Sequence, residues 1–345
     1  MQEKTGLVLK TNKSFPRIML APNRIKTFQS RLLNWYNNQK REMPWRKNRD
    51  PYRILVSEFM LQQTQVKTVI PYYKKWMKSF PTAKKLATAD ESNVLKHWEG
   101  LGYYSRVRNL KKTAKIVVVK YKKKLPNTLE ELKTLPGIGD YTASAILSIA
   151  FNKPFIPLDG NVERIIKRIL NLKSEKEISK ENIIKKKKFL GISNRSSDYA
   201  QALMELGALV CKPKKPLCTK CPIIKNCISY KKQDFDIAVK NKKKIDKFFI
   251  VKVFKRGNKI LLIKNTKFKF LKNFKIFPME EIKKPQNLNN SLNLKMSNMN
   301  MSINIKRIKE FSNISNGSWI DQTKFNQYTL PTFTKKIFAS LNKSL

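Results

Sequence analysis

The thirteen residues from Leu135 to Leu147, "LPGIGDYTASAIL", leave the backbone few choices. Pro136 cannot continue a helix, because it lacks the amide hydrogen the helix ladder needs. Gly137 and Gly139 let the chain turn tightly and approach another group closely. Asp140 is placed to cap a second helix, whose first N–H groups point outward. Upstream, "TLEE" at Thr128–Glu131 is a capping-box pattern that opens a preceding helix. Residues 128–151 are therefore expected to form a helix, a tight hairpin and a second helix. A helix start of this kind can hold an anion on its amides, which makes Gly137 and Gly139 candidate contacts for a DNA phosphate. A plain helix–helix turn is the competing reading.

Apolar residues recur at helical spacing through the first two thirds of the chain. Ile25, Phe28, Leu32, Trp35 and Tyr36 set the pattern over 24–39. Further helices are expected at 52–63, 66–79, 83–88, 91–99, 106–121, 162–171 and 198–209, with stops at Gly100, Gly102 and Pro136. Lys-rich stretches at 173–188 and 231–247 read as solvated. Beyond them, "FFIVKVFKRGNKILLIKN" gives two β-rich runs around a turn at Gly257–Asn258. The expected fold is mainly α with a smaller C-terminal α+β domain. Its parts are an extension at 1–23, a helical domain at 24–230, a basic linker at 231–246 and the α+β domain at 247–345.

All four cysteines, Cys211, Cys218, Cys221 and Cys227, fall in one basic loop. Zinc, a disulfide and an iron–sulfur cluster are the three readings. No apolar run is long enough to cross a bilayer, and the N-terminus lacks a secretory pattern. A cytosolic protein is therefore expected, where clustered cysteines bind metal more often than they pair. The spacing C-x6-C-x2-C-x5-C also differs from the two separated C-x2-C knuckles of a zinc ribbon. Lys and Arg number 73 against 24 Asp and Glu, a formal charge of +49. That charge points to a polyanion partner. A compositional bias toward Lys, Asn and Ile is the competing reading of that charge. A single histidine, His97, makes a His-based triad improbable and is read as a packing or surface residue.

The complete pattern L-P-G-x-G-x-x-T-A resembles the helix–hairpin–helix of DNA glycosylases. From there the resemblance covers most of the chain. "MPWRKNRDPYRILVSEFMLQQTQV" (43–66), "GLGYYSRVRNL" (100–110) and "LDGNVERI" (158–165) are similar to the adenine DNA glycosylase (MutY) family. The match runs from about residue 24 to 230 and is weaker beyond 245. It implies that the four cysteines hold one 4Fe-4S cluster, with a structural role beside a basic surface.

Glu58 lies in a helix with Ile54, Leu55, Phe59 and Leu61 around it. Apolar surroundings raise a carboxyl pKa, which suits a general acid near neutral pH. A helix-surface glutamate is the bland reading. The resemblance makes Glu58 the acid that protonates the departing adenine. Asp159 precedes a helix and reads locally as an N-cap. The resemblance makes it the anion that supports the sugar cation, with Asn161 in the same catalytic group. The two-carboxylate logic parallels glycoside hydrolysis. At position 141, the family's strand-cleaving members carry a lysine that attacks the sugar. Tyr141 offers no amine for a Schiff base, so a monofunctional glycosylase using water is expected.

Removing a base requires its extrusion from the duplex. Leu61, Gln62, Gln63, Thr64 and Tyr103 resemble the family's wedge. Arg41, Met43, Trp45, Arg46 and Gln201 match its adenine-pocket region. Helix packing is the ordinary alternative for all of these. The tail resembles a Nudix-like domain that recognises 8-oxoguanine, with Ser312 retained there. Asn273 stands where the family usually has glycine, and Asn313 where histidine is expected. No Nudix box is present, so pyrophosphohydrolase activity is not expected. The favoured function is removal of adenine mispaired with 8-oxoguanine or guanine in double-stranded DNA, by a monomeric, cytoplasmic, nucleoid-associated protein. The alternatives are a related glycosylase acting on damaged pyrimidines or mismatched thymine, and a DNA-binding protein without catalysis.

Overall fold

The computed structural model describes residues 22–236, 244–284, 291–296, 298–308 and 317–341. The sequence-expected extension, the middle of the linker, Ser312 and Asn313 lie outside those residues. The described chain is a helical N-terminal part followed by a part built on a β-sheet. Among the described residues no helix is long and apolar enough to cross a membrane.

The helices are α1 (Pro22–Gln39), α2 (Pro51–Leu61), α3 (Val66–Ser79), α4 (Ala83–Thr88), α5 (Glu91–Trp98), α6 (Ser105–Val119), α7 (Leu129–Thr134), α8 (Asp140–Ile149), α9 (Gly160–Ile169), α10 (Lys180–Lys186), α11 (Ser196–Leu209), α12 (Ile228–Lys231) and α13 (Thr332–Leu341). Most fall where apolar spacing places them. The exceptions are α12, α13 and α10, the last inside the Lys-rich stretch read as solvated. Ser179 caps it by accepting from the Asn182 amide at 3.3 Å. Ile183 gives it a single buried contact among exposed lysines. Its two apolar residues, Ile183 and Ile184, are adjacent and so do not register as a helical period.

The described chain divides into two compact units. One combines residues 22–54 with Asn127–Lys133 and residues 138–236. The other combines Leu55–Pro126, Thr134–Gly137 and the described residues from 244 onward. In the first unit, Phe28, Leu32 and Tyr36 of α1 share one buried core with Tyr199, Leu203 and Leu206 of α11, which in turn packs on α9 with its Val162, Ile165 and Ile169. Gly207 of α11 permits the close approach to α9: a Cβ there would sit 2.4 Å from Asn161 Cβ.

In the second unit, Trp76 of α3 meets Trp98 of α5 edge-on at 5.6 Å. The sheet holds β1 (Ile245–Arg256), β2 (Lys259–Lys264), β3 (Lys275–Ile276), β4 (Met279–Ile282), β5 (Leu292–Met296), β6 (Met299–Ile308) and β7 (Gly317–Asp321). Its order is β3-β2-β1-β6-β5, with β4 on β1 and β7 on β2. β1 is the spine, parallel to β6 and antiparallel to β4 and β2. The turn at Gly257, with φ of 54°, joins β1 to β2 as the sequence predicts. Phe249, Val251, Ile303, Phe325, Phe333 and Ile337 fill the space between sheet and α13.

The hairpin keeps its predicted form with one difference. Thr128 Oγ1 accepts from the Glu131 amide at 3.3 Å, the side-chain cap of the expected box, and donates to the Glu131 carboxylate at 2.8 Å. Gly137 has φ of 81°, and a Cβ there would lie 2.9 Å from both Asn109 and Phe59 side chains. Asp140 is not the cap. Gly139 occupies that position, and Asp140 instead pairs with Lys133 at 2.6 Å. The Lys133 ammonium holds the Asp140 carboxyl below the ordinary range.

Candidate active site and cysteine loop

The sequence-predicted site residues fall in both units. In the first, Asp159 is the N-cap of α9 and half-buried. Its Oδ1 accepts from the Val162 amide at 2.7 Å and its Oδ2 from Asn161 Nδ2 at 3.0 Å. Burial raises the Asp159 carboxyl above its ordinary value, opposed by those N–H groups. A destabilised anion with fixed geometry attracts a nearby cation strongly, because little water screens it. Asn161 is held in turn, accepting from Arg164 Nη2 at 2.7 Å. The same guanidinium donates to the carbonyls of Gly207 and Cys211, each at 2.7 Å. One arginine thus ties Asn161 to the start of the cysteine loop. Tyr141 lies in the first turn of α8 and is half-buried.

Arg41 and Arg46 are brought together by a residue the sequence reading missed. Glu205 of α11 is 1% exposed. It accepts from Arg41 Nε and Nη2 at 2.8 Å each, and from Arg46 Nη2 at 2.9 Å. Burial by itself would raise the Glu205 carboxyl. The Arg41 hydrogen bond and the two arginine charges outweigh it, so the pKa lies below the ordinary value. Arg46 Nη1 also donates to the Arg41 carbonyl at 3.0 Å. Met43 and Trp45 are buried beside this pair in sequence. Gln201 is buried in α11 and donates to the Ser197 carbonyl one turn back, at 3.2 Å.

In the second unit, Glu58 sits in α2 at 4% exposure. Leu55, Val56, Phe59 and Met60 along the same helix are all at most 1% exposed. The residues that the sequence suggests as a wedge follow directly. Gln63 and Tyr103 both adopt left-handed backbone, with φ of 57° and 46°. Such conformations cost non-glycine residues on the order of 1–3 kcal/mol and persist only when the surroundings enforce them. Arg106 enforces these. Its Nη1 donates to the carbonyls of Phe59, Met60 and Gln62 at 3.0, 2.9 and 2.6 Å. Its Nη2 donates to Leu101 and Gly102 at 2.9 and 3.1 Å. One buried guanidinium therefore satisfies the end of α2 and pins the 61–64 and 100–103 loops together. Burial lowers its pKa to about 10, so it remains charged. Gly100, with φ of 103°, is equally constrained: a Cβ would meet Tyr72 Oη at 2.1 Å.

Arg106→Gln is expected to speed backbone hydrogen exchange at 62–64 and 101–103 about tenfold or more. Hydrogen bonds to a charged group are worth about 1.5–3 kcal/mol each. Exchange mass spectrometry checks this. Wild-type exchange in both loops would remove Arg106 from the clamp role.

The four cysteines are each half-buried. Arg168, itself buried, fixes the loop entry by donating to the Lys212 and Pro213 carbonyls at 2.6 and 2.8 Å. Its Nη1 lies 3.4 Å from Cys211 Sγ. Burial pushes the Cys221 thiol up to about 12 and raises those of Cys218 and Cys227. Cys211 adds to all three shifts, so the thiols sense one another's charge. Among the described residues no group of three or more His, Cys, Asp or Glu closes around a single metal ion.

Comparison with known proteins follows the same outline. Residues 56–188 match the model of the HhH-GPD superfamily base excision DNA repair protein. The adenine DNA glycosylase of Buchnera aphidicola subsp. Schizaphis graminum is 37% identical over 313 residues, covering 89% of this chain and 86% of that protein. Its counterpart from Buchnera aphidicola subsp. Baizongia pistaciae is 35% identical over 92% of this chain and 97% of its own length. The Mus musculus enzyme of that name is 42% identical over 60% of this chain and 42% of its own. Among solved structures, a thermostable thymine-DNA glycosylase superposes with a TM-score of 0.54 at 29% identity, over 61% of this chain and 98% of that one. A trapped endonuclease III–DNA covalent intermediate gives 0.52 at 23% identity, over 62% and 99%, which is a likeness of fold.

Proposed function

The chain belongs to the adenine DNA glycosylase family within the helix–hairpin–helix base excision repair proteins, and we propose that it hydrolyses the N-glycosidic bond of adenine mispaired with 8-oxoguanine or guanine. The observation that carries the mechanism is the burial of Glu58 in α2 among residues that exclude water. A carboxyl there, shielded from water, is suited to hand a proton to adenine as it leaves. Asp159, fixed by Val162 and Asn161, supports the positive charge left on the sugar. Water then adds to that sugar carbon, and its proton passes to solvent.

Tyr141 supplies no amine, so no covalent imine forms and the strand is left intact at an abasic sugar. Leu61, Gln62, Gln63, Thr64 and Tyr103 fill the gap left by the extruded base. Arg41, Met43, Trp45, Arg46 and Gln201 form the adenine-pocket region. Gly139 opens the start of α8 to a phosphate, since a Cβ there would meet nothing within 4 Å. The sheet domain serves lesion recognition in a Nudix-like manner, without pyrophosphate chemistry. Asn273 suits this reading: with φ of 66° it occupies a position that favours glycine, and asparagine is among the residues that best tolerate it. The protein works as a monomeric cytoplasmic repair enzyme on duplex DNA.

Cys211, Cys218, Cys221 and Cys227 would hold one 4Fe-4S cluster. Four cysteine thiolates are the donor set such a cluster takes, and their C-x6-C-x2-C-x5-C spacing differs from the two separated C-x2-C knuckles of a zinc ribbon. When bound, the cluster supplies a rigid cross-link for the loop. Purified protein is expected to be brown and to carry iron and sulfide near four each per chain. A colourless protein with one zinc would contradict the assignment.

The monofunctional reading is tested on a duplex carrying the adenine mispair. Strand breaks are expected only after alkali, and borohydride is expected to trap no protein–DNA adduct. Efficient cleavage before alkali, or trapping, would overturn it.

A further inference from the structure

Tyr103 is presented outward, 43% exposed, on a left-handed backbone with φ of 46°. Two glycines lead into it. Gly100 and Gly102, with φ of 103° and 68°, give the loop wide freedom wherever it is unsupported. Arg106 holds the middle of this loop through the Leu101 and Gly102 carbonyls. The two ends of the loop are held from elsewhere in the same unit, by the part built on the sheet.

Tyr104, which follows Tyr103 and occupies the N-cap position of α6, is buried. Its ring centre lies 4.4 Å from that of Phe274, with the planes tilted by 47°. Aromatic pairs in such contact attract beyond the area they bury. Arg108, one turn further along α6, meets the same ring, with its guanidinium 4.6 Å from the ring centre. Its Nη1 also donates to the Lys272 carbonyl at 3.2 Å. At the other end of the loop Glu99, the C-cap of α5, forms an ion pair with Lys335 of α13.

These ties lead to an ordered support. Thr334, fully buried beside Lys335 in sequence, donates to the Lys275 carbonyl at 3.1 Å and so joins α13 to the residue after Phe274. Asn265 is buried, and its Nδ2 donates to the Phe268 and Phe270 carbonyls at 3.2 and 2.6 Å. The Asn273 amide donates to the Asn265 carbonyl at 2.7 Å. A segment already fixed by its own bonds loses little entropy when it fixes a neighbour.

We propose that the sheet part braces the Tyr103 loop, with Phe274 and Lys335 as positioning residues that hold Tyr103 ready for the duplex whatever base stands opposite the adenine. Phe274 acts through Tyr104, and Lys335 acts through Glu99. The wedge role of Tyr103 rests on the reading given under Proposed function. A brace differs from a lesion reader in its signature. A reader affects one mispair, whereas a brace affects every mispair alike. Glu99 and Lys335 are both partly exposed, so water screens their attraction and the aromatic contact is the stronger tie.

Hydrogen exchange of the full chain, free of DNA, reads the loop directly. In Phe274→Ala the amides of 101–105 are expected to exchange at least about fivefold faster, while those of β1 and β6 keep their wild-type rates. Single-turnover excision at saturating protein, where affinity does not enter, is expected to fall about tenfold. The fall is expected to be equal for adenine opposite 8-oxoguanine and opposite guanine. Lys335→Glu sets two carboxylates against each other and is expected to speed loop exchange at least about threefold. Adding Glu99→Lys restores an ion pair of opposite polarity and is expected to bring exchange back to within about twofold of wild type. Should Phe274→Ala loosen β1 and β6 as well, the charge exchange decides alone. The proposal is overturned if the loop keeps wild-type exchange in Phe274→Ala, if the loosened loop excises at the wild-type rate, if only the 8-oxoguanine mispair slows, or if the exchanged pair fails to restore the loop. Adenine release by the wild-type protein is scored in parallel. Release with a loop indifferent to all these variants refutes the brace alone. A loop that responds as expected in a protein releasing no adenine refutes the enzymatic reading alone.

Discussion

Glu58→Gln is expected to lower single-turnover adenine excision at least about a hundredfold while duplex binding persists. The amide keeps the shape of the carboxyl but has no proton to donate to a leaving base. Glu58 is buried within a helix whose neighbouring positions are also buried. An isosteric change there disturbs packing little, so the loss falls on the chemical step. Fluorescence anisotropy of a labelled duplex, read beside quenched-flow kinetics, separates the two. Excision within a few-fold of wild type would remove Glu58 from the acid role.

The second large effect is on stability. Glu205→Ala leaves Arg41 and Arg46 facing each other without the carboxylate that joins them. Breaking a buried pair costs about 3–5 kcal/mol. The Arg41 side chain is 37% exposed and can turn to water, so the low end applies here. A loss of about 3 kcal/mol corresponds to a fall in Tm of roughly 6–12 °C for a domain of this size. The pH dependence follows from the direction of the pKa. Glu205 is depressed in the folded state. Its contribution is therefore present above the ordinary glutamate range and is lost as pH falls through the lower, folded value. Thermal melts of wild type and variant should converge in acid and separate toward neutrality. A variant with an unchanged melt at neutral pH would show that the cluster contributes nothing to the fold.

Residues whose meaning is local were legible in the sequence. The hairpin turn, the Thr128 capping box and the Gly257 turn each depend on a few adjacent residues, and each takes its expected form. Asp140 departs from its expected role because Lys133, across the hairpin, offers its carboxylate a full charge. Residues whose meaning is distant were not legible. Arg106 gains its role from carbonyls 44 to 47 positions away, besides those of Leu101 and Gly102 nearby. Glu205 gains its role from arginines 159 and 164 positions away. Nothing in "ALMELGAL" marks that glutamate as an anchor rather than a solvated helix residue. Asn273 shows the intermediate case. The departure from glycine is visible in the sequence, and the left-handed backbone explains why asparagine suffices there.

The central claim is that this chain releases adenine from mispaired duplex DNA. Chromatography of free bases after incubation with duplexes carrying adenine opposite 8-oxoguanine, guanine and thymine measures it directly. Free adenine is expected from the first two and none from the third. No adenine from either mispair, or release of thymine or a damaged pyrimidine in its place, would contradict it.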